Sequence, residues 1–441
     1  MNLDNWLAQR AQTCPDRVAL IAADRRLTYA ELEAEAGAAA RRLGGHGVRR
    51  GATVALALPA GVDYAVLLHA LMKVGAVVNP INTRLSPSER EQELARARPF
   101  VVIADGAEVA GPEADLPLLG EHELDAPHCR ILTSGTTGET RPVTLTYGNH
   151  LWSAVGSAFN LGVDPSDRWL CCLPFFHVGG LSIVLRSVIY GIGAVIHDGF
   201  DPERIGASLE RDGVTLLSLV ATQLVRLLEA GTDLSGPRAI LVGGGPVPLD
   251  VLEEATERGA RVVQTYGLTE AASQVTTLAP DEARTRIGSA GRPLLTTHLR
   301  IQGGEILVQG PTVAPGVADE DGWLHTGDLG RIDADGFLYV EDRLGDLIVS
   351  GGENILPAEV EEVLLRHPAV ADAAAVGRTD PEWQQAVAAV VVLRDGADVR
   401  ADELRRHCAQ SLAGFKVPKR FEFVAELPRT ASGKLLRRAI R

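Results

Sequence analysis

The chain is poor in cysteine, in positive charge and in long apolar runs, and each shortage excludes something. Its five cysteines, Cys14, Cys129, Cys171, Cys172 and Cys408, are odd in number, with no CxxC pair and no zinc-like spacing. A disulfide framework and a structural zinc site drop out, and reduced thiols in the cytoplasm are expected. Lys plus Arg number 43 against 57 Asp plus Glu, a formal net charge of −14. Generic binders of nucleic acid or anionic membrane are basic, so neither partner fits. The most apolar stretch, residues 181–196, holds Arg186 and is shorter than the ~20 residues a bilayer helix needs. It reads as a buried helix and strand, and no membrane insertion is expected. The opening MNLDNWLAQR has no basic segment leading into an apolar core, so no secretory signal is expected. Internal repeats and low-complexity tracts are missing too.

What is present is an ordinary globular composition, 46% hydrophobic and 23% charged over 441 residues. At about 100–200 residues per domain, that length implies two to four folding units. Thr28 followed by Glu31 fits a capping box opening an Ala-rich helix. ATVALALP then reads as a buried strand and DYAVLLHALMKVG as a helix. GVTLLSLV, RAILVGG and RVVQTYG are brief β-rich runs separated by helical patterns, so parallel sheets with crossover helices are expected. The fold class is α/β, and ligands of such sheets sit beyond the carboxyl ends of the strands. After about residue 320 the texture turns rich in Asp and Gly. A small α+β unit follows, with PAEVEEVLLRHP and DELRRHCAQSL as helices and AVAAVVVL and RFEFV as strands.

Several segments carry candidate chemistry. In ILTSGTTGETRPV, Thr133, Ser134, Gly135, Thr136, Thr137 and Gly138 combine hydroxyl donors with glycines that let backbone approach a phosphate. It is not a Walker A loop, because Thr140, Arg141 and Pro142 stand where Gly-Lys-Ser/Thr is required. A strand runs into Gly243, Gly244, Gly245 and Pro246. In QTYGLTEAASQ, Tyr266 suits stacking on a base and the Glu270 carboxylate suits Mg²⁺. Asp328 in LHTGDLG is an acceptor suited to ribose hydroxyls. Lys434 in LPRTASGKLLRR follows a flexible Ser-Gly and suits a developing phosphate charge. Taken singly, the loop is a polar turn, Tyr266 a core residue, Glu270 a solvated helix start and Lys434 a tail charge.

Together, in this order, the segments resemble the adenylate-forming superfamily of acyl-CoA synthetases, nonribosomal-peptide adenylation domains and luciferases. The resemblance covers essentially the whole chain. It implies a large N-terminal AMP-binding domain (1–342) with the acyl and ATP sites, a hinge (343–346) and a small mobile α+β lid (347–441). It also implies roles. Residues 133–138 and Arg141 hold phosphate. Gly243, Gly244, Gly245, Pro246, Tyr266, Gly267, Asp328 and Arg343 bind the nucleotide. Thr269, Glu270 and Lys434 are catalytic, with Glu270 and Thr137 on Mg²⁺. LPFFHVGGLSIVLRSVIYG, YGLTEAASQVTTL and SGGENILPAEVEE look most like the 2-succinylbenzoate–CoA ligase group of menaquinone biosynthesis. There His177 lines the acyl pocket and acts in catalysis, Ser182, Ser273 and Gln274 face the second carboxylate, and Ser350, Gly351, Gly352 and Glu353 line a CoA tunnel. Three positions depart from the pattern. Residues 139–142 replace the usual Gly-x-Pro-Lys-Gly ending, Asp342-Arg343 replaces Gly-Arg before the hinge residue Gly345, and Trp383-Gln384 replaces Trp-Gly.

The implied reaction consumes a small carboxylic acid, ATP and CoA, with Mg²⁺. Its first step needs no general base, since a carboxylate with a pKa of roughly 4 is already ionised. That accounts for a motif set of hydroxyls, metal-binding carboxylate and lysine with no Ser–His–Asp arrangement. Other readings are a CoA ligase for another small acyl or aryl acid, a carrier-protein-loading adenylation enzyme, and a nucleotide-binding protein that no longer catalyses. Pyrophosphate exchange over a panel of acids separates them. The oligomeric state stays open, a homodimer included. The charge is unevenly spread. From residue 345 onward 14 basic and 14 acidic residues balance, so the −14 belongs to residues 1–344. Residues 405–441 carry 10 basic and 2 acidic side chains around Lys434.

Overall fold

The structure is a computed structural model that describes residues 1–441 except 23–24, 86, 135–139, 246, 344–345, 351–352, 381–383, 431–432, 434 and 441. The chain parts into two compact units. One holds Met1–Arg300, Leu307–His325 and Gly336–Leu338; the other holds Ile301–Ile306, Thr326–Asp335 and Tyr339–Arg441.

The first unit is built on parallel strands. Val18–Ala22, Gly193–Ile196, Arg168–Cys171, Leu216–Val220, Ala239–Gly243 and Val262–Leu268 lie side by side in that order, every pair parallel. Arg25–Thr28 closes one edge of this nine-stranded sheet antiparallel, and Ser273–Thr277 followed by Arg292–Pro293 closes the other. LLSLV and AILVG are almost wholly buried, as continuous apolar runs must be when helices cover both faces. Their side chains join Ile205, Leu224, Leu227 and Leu252 in one core cluster. A second sheet orders Val101–Ile103, Thr53–Leu56, Val77–Pro80 and Pro127–Ser134 in parallel, with Thr140–Thr146 antiparallel on the edge.

Local signals act as expected. The Thr28 backbone N–H donates to Glu31 Oε2 at 2.8 Å, the capping box of helix Tyr29–Gly45. The apolar stretch 181–196 resolves into helix Val178–Tyr190 and strand Gly193–Ile196, turned by Gly191 at φ +72°. Among the described residues no helix is long and apolar enough to cross a membrane.

The second unit contains a five-stranded sheet. Glu353–Ile355, Ile348–Ser350, Gln384–Leu393 and Val370–Asp380 pair antiparallel in that order, and Arg420–Phe423 adds parallel to Gln384–Leu393. Helices Pro357–Leu365 and Ala401–Ala409 complete its core with Val360, Leu364, Leu404 and Cys408. The fold class is thus α/β with parallel-sheet subdomains and an α+β C-terminal part. The four strands His298–Gln302, Glu305–Gln309, Leu324–Ile332 and Leu338–Arg343 form a further sheet, through which the division into units runs. The hinge expected at 343–346 includes Leu344 and Gly345, which lie outside the described residues.

Candidate active site

The phosphate-loop segment sits at the end of a hairpin. Pro127–Ser134 and Thr140–Thr146 pair with Thr133 opposite Arg141 and Ser134 opposite Thr140. Gly135, Thr136, Thr137, Gly138 and Glu139, which join them, lie outside the described residues, as does the Ser134 side chain. Thr133 Oγ1 donates to Glu270 Oε1 at 3.4 Å, bringing together motifs 137 residues apart. Arg141 is exposed. Pro142 occupies the edge strand, where a sheet tolerates a missing N–H.

Of the residues expected on the nucleotide side, Gly243, Gly244, Tyr266 and Gly267 lie at the carboxyl ends of neighbouring parallel strands. Gly243 ends its strand against the next one, and a Cβ there would lie 2.8 Å from Thr265 Cγ2 and 2.9 Å from its carbonyl oxygen. Gly244 follows at φ +81°. Pro246 lies outside the described residues. The pairing of Val262–Leu268 with Ser273–Thr277 shifts register between Tyr266 and Gly267, a bulge that re-aims the chain. A Cβ on Gly267 would sit 1.6 Å from the Ser273 carbonyl oxygen. Thr269 and Glu270 then form a 3₁₀ turn, and Ala314 N–H donates to the Glu270 carbonyl at 2.8 Å. Ala272 and Ser273 have φ +52° and +97°. Such backbone persists only where the surroundings over-determine it, and functional sites collect it.

The residues expected on the acyl side lie on or next to helix Val178–Tyr190 and on strand Ser273–Thr277. His177 precedes the helix and makes no cap bond. Its Nε2 is buried with no protein partner, and the Phe176 ring lies 4.7 Å away. Burial, helped by the Arg84 charge, holds the His177 imidazole down at about 4, so it is neutral at pH 7. A cavity beside it is lined by Tyr64, Ile81, Arg84, Leu173, Phe175 and Phe176. One turn along the helix, Ser182 is buried with its Oγ unpartnered. On strand Ser273–Thr277, which packs against this helix, Gln274 is 3% exposed with both amide atoms unpartnered. Buried polar atoms without protein partners cost on the order of 1–3 kcal/mol each unless water or a ligand completes them.

Arg186, four residues after Ser182, is the residue sequence reasoning missed, having counted only against a membrane span. It is 4% exposed and forms no ion pair among the described residues. Its Nη2 donates to Ser153 Oγ at 2.9 Å, and Ser153 Oγ donates to the Ala272 carbonyl at 2.7 Å. Nε has no protein partner. The signal that points to it is a cation inside an otherwise apolar helix.

Below the hairpin, His128, Cys129 and His150 are buried together, with Cys129 Sγ 3.3 Å from His150 Nε2. Burial pushes the thiol up and holds His150 down at about 3, so the pair is neutral and its members satisfy each other.

In the second unit, Asp328 is 7% exposed and its N–H donates to Thr326 Oγ1 at 3.1 Å. Ser350 is buried opposite Glu353 in a hairpin whose connecting Gly351 and Gly352 lie outside the described residues. Lys434 and Trp383 lie outside them as well, and the side chains of Arg343 and Glu353 are not described.

Residues 7–124 and 119–317 match the AMP-binding enzyme family, and residues 359–434 match the AMP-binding enzyme C-terminal domain. A 2-succinylbenzoate–CoA ligase of Bacillus cereus is 44% identical over 100% of this chain and 98% of its own length. The o-succinylbenzoate CoA synthetase of Bacillus subtilis, solved with its acyl-adenylate intermediate, superposes with a TM-score of 0.95 at 40% identity, covering 100% and 98% of the two chains. The same enzyme with ATP and magnesium gives 0.93 at 41%, covering 99% of each chain. ATP-bound MatB of Rhodopseudomonas palustris gives 0.92 at 27%, covering 100% and 98%.

Proposed function

The chain belongs to the AMP-binding enzyme family, and from that premise we propose how its residues divide the work of one ligase. The reaction is 2-succinylbenzoate + ATP + CoA to 2-succinylbenzoyl-CoA + AMP + pyrophosphate, through an acyl-adenylate, a step of menaquinone biosynthesis. The observation that carries it is identity of 42–44% along the whole chain with ligases of that name. We place the reaction in the cytoplasm, where the five free cysteines stay reduced.

In the first step a substrate carboxylate attacks the α-phosphorus of ATP and pyrophosphate leaves. The nucleophile is already ionised, so the protein supplies alignment and charge neutralisation. Residues 133–138 and Arg141 hold phosphate, Tyr266 stacks on adenine beside Gly243, Gly244, Gly245, Pro246 and Gly267, and Asp328 with Arg343 takes the ribose side. Glu270 offers the hard oxygen that Mg²⁺ prefers, with Thr133 Oγ1 beside it and Thr137 as a second oxygen donor. Bound there, Mg²⁺ neutralises phosphate charge. Thr269 and Lys434 meet the charge that develops on the reacting phosphate.

The substrate carries a second carboxylate that must be paired once it leaves water. Ser182, Gln274 and the Arg186 guanidinium offer unpartnered donors, while Ser273 contributes its hydroxyl. His177, neutral at pH 7, orients the aromatic acid without adding charge. In the second step a thiol of pKa about 8.5 reacts as its thiolate and displaces AMP. We assign this step to a rotation of residues 347–441 about a hinge at 343–346. The rotation withdraws Lys434 and opens a path for CoA past Ser350, Gly351, Gly352 and Glu353.

Incubation with ATP, Mg²⁺, CoA and 2-succinylbenzoate should release AMP and form the thioester. No product above background, with exchange supported by a different acid in a carboxylate panel, would move the substrate assignment to that acid. Thioester formed on a carrier-protein thiol and not on CoA would overturn the acceptor.

A further inference from the structure

Two arginines flank Lys434 in sequence, and each fastens its loop to the frame of the C-terminal unit. On the N-terminal side, Arg429 Nη2 meets Asp372 Oδ2 at 2.6 Å and Nη1 donates to the Gly433 carbonyl at 2.9 Å. Arg429 and Leu435 form an isolated β-bridge, and Leu436 N–H donates to the Pro428 carbonyl at 2.9 Å. The backbone is thus held on both sides of position 434.

On the C-terminal side, Arg437 is the hub of a buried cluster. Its Nη2 donates to Glu361 Oε2 at 2.6 Å and Nε to Glu361 Oε1 at 3.2 Å, a two-bond fork. Nη1 donates to Asp346 Oδ2 at 3.2 Å and lies 3.8 Å from Asp342 Oδ1. The side chains of Arg437, Glu361 and Asp342 are 13%, 12% and 3% exposed. The acids are themselves anchored to backbone. Glu361 Oε1 accepts from Ala375 N–H at 2.7 Å, and Asp342 Oδ2 from Ala358 N–H at 2.9 Å. Asp342 precedes the hinge segment 343–346 and Asp346 ends it. One guanidinium therefore faces three carboxylates drawn from both ends of the hinge and from helix Pro357–Leu365.

We propose that Arg437 is a positioning residue for the first half-reaction, tying the loop of Lys434 to the two aspartates that bracket the hinge. The inference rests on the assigned roles of Lys434 and the hinge. A planar fork with a third nitrogen spans Glu361 and Asp346 at once; a lysine ammonium keeps the charge but loses the two-bond geometry. Without Arg437 the Glu361 fork and the bond to Asp346 are lost, and the loop end at 437 is released. A displacement of about 1 Å at a reacting group is enough to cost on the order of 10²-fold in rate.

The test uses the full chain and four variants, Arg437→Gln, Arg437→Lys, Asp346→Asn and Lys434→Ala. Adenylation is read by ATP–pyrophosphate exchange with 2-succinylbenzoate, and thioester formation by supplying acyl-adenylate and CoA. Arg437→Gln should lower kcat of exchange about 10²-fold, with KM for ATP and acid nearly unchanged. It should leave conversion of supplied acyl-adenylate within about threefold. Arg437→Lys should recover part of the loss, and Asp346→Asn, which keeps the Glu361 fork, should cost about threefold to tenfold in exchange alone. Exchange near wild type in Arg437→Gln while Lys434→Ala loses it overturns the inference and leaves the role of Lys434 standing. Exchange retained in Lys434→Ala overturns that role and the inference with it. Equal loss of both half-reactions in Arg437→Lys and Asp346→Asn means a merely structural cluster and also overturns it. The last two variants decide the matter if Arg437→Gln does not fold.

Discussion

Two clusters of buried polar groups, one in each compact unit, are treated in opposite ways. In the first, Ser182 Oγ, His177 Nε2 and Arg186 Nε on or beside helix Val178–Tyr190, and Gln274 Oε1 and Nε2 on the strand packed against it, are buried without protein partners. In the second, the buried guanidinium of Arg437 is engaged by Glu361 and Asp346, and the exposed Arg429 pairs with Asp372. The contrast follows from what each must do. A substrate surface keeps donors and acceptors for a ligand to complete, at a cost the surrounding apolar core offsets. The segment proposed to carry Lys434 to a reacting phosphate needs fixed geometry, and charge-assisted forks supply it.

The largest test of that contrast is Lys434→Ala. Pyrophosphate exchange should fall by about 10²–10³-fold while supplied acyl-adenylate is still converted to thioester. Equal loss in both half-reactions would erase the division of labour.

A comparable effect is expected from acid, and it originates in the first unit. Burial holds His69 and His150 down at about 3 and His122 at about 4, against 6.5 in the unfolded chain. Between those values the unfolded state binds more protons. Stability is therefore fully present above pH 6.5 and falls as pH drops, each histidine contributing about 1.4 kcal/mol per pH unit. Denaturant melts at pH 7.5 and 5.5 should differ by about 4 kcal/mol through these three. A pH-independent midpoint would show that the histidine core is not closed to water.

Next comes Gly267→Ala, where the new Cβ would meet the Ser273 carbonyl. A loss of about 2–3 kcal/mol is expected in the same melts. Gly236→Ala, with open space around its Cβ position, should change stability by less than about 0.5 kcal/mol.

A smaller effect than that of Gly267→Ala sharpens the substrate side. Arg186→Gln should raise KM for 2-succinylbenzoate about tenfold, and far less for an analogue that lacks the second carboxylate. An equal rise for both acids would make Arg186 a packing residue.

Much of this was legible in the primary structure, for local reasons. The Thr28–Glu31 cap, the buried strands LLSLV and AILVG, and the helix-then-strand reading of residues 181–196 all rest on short-range pattern. Strand Val370–Asp380 escaped notice because VADAAAVGRTD is rich in alanine and carries little β preference of its own. Its ten-position pairing with Gln384–Leu393 makes it a strand. Arg186 escaped because a lone cation in an apolar helix has no meaning until its neighbours are known.

What the sequence determined by itself was the order of motifs, hence the reaction class, together with the glycines that end strands and the concentration of basic residues around Lys434. Those depend on backbone freedom and on charge counted along the chain. Only the tertiary structure decided that Thr133 meets Glu270, that Gln274 and Ser182 lack protein partners, and that Arg437 gathers Asp342, Asp346 and Glu361. These are outcomes of burial between distant segments, where desolvation makes every satisfied or unsatisfied polar atom count, and no local pattern encodes them.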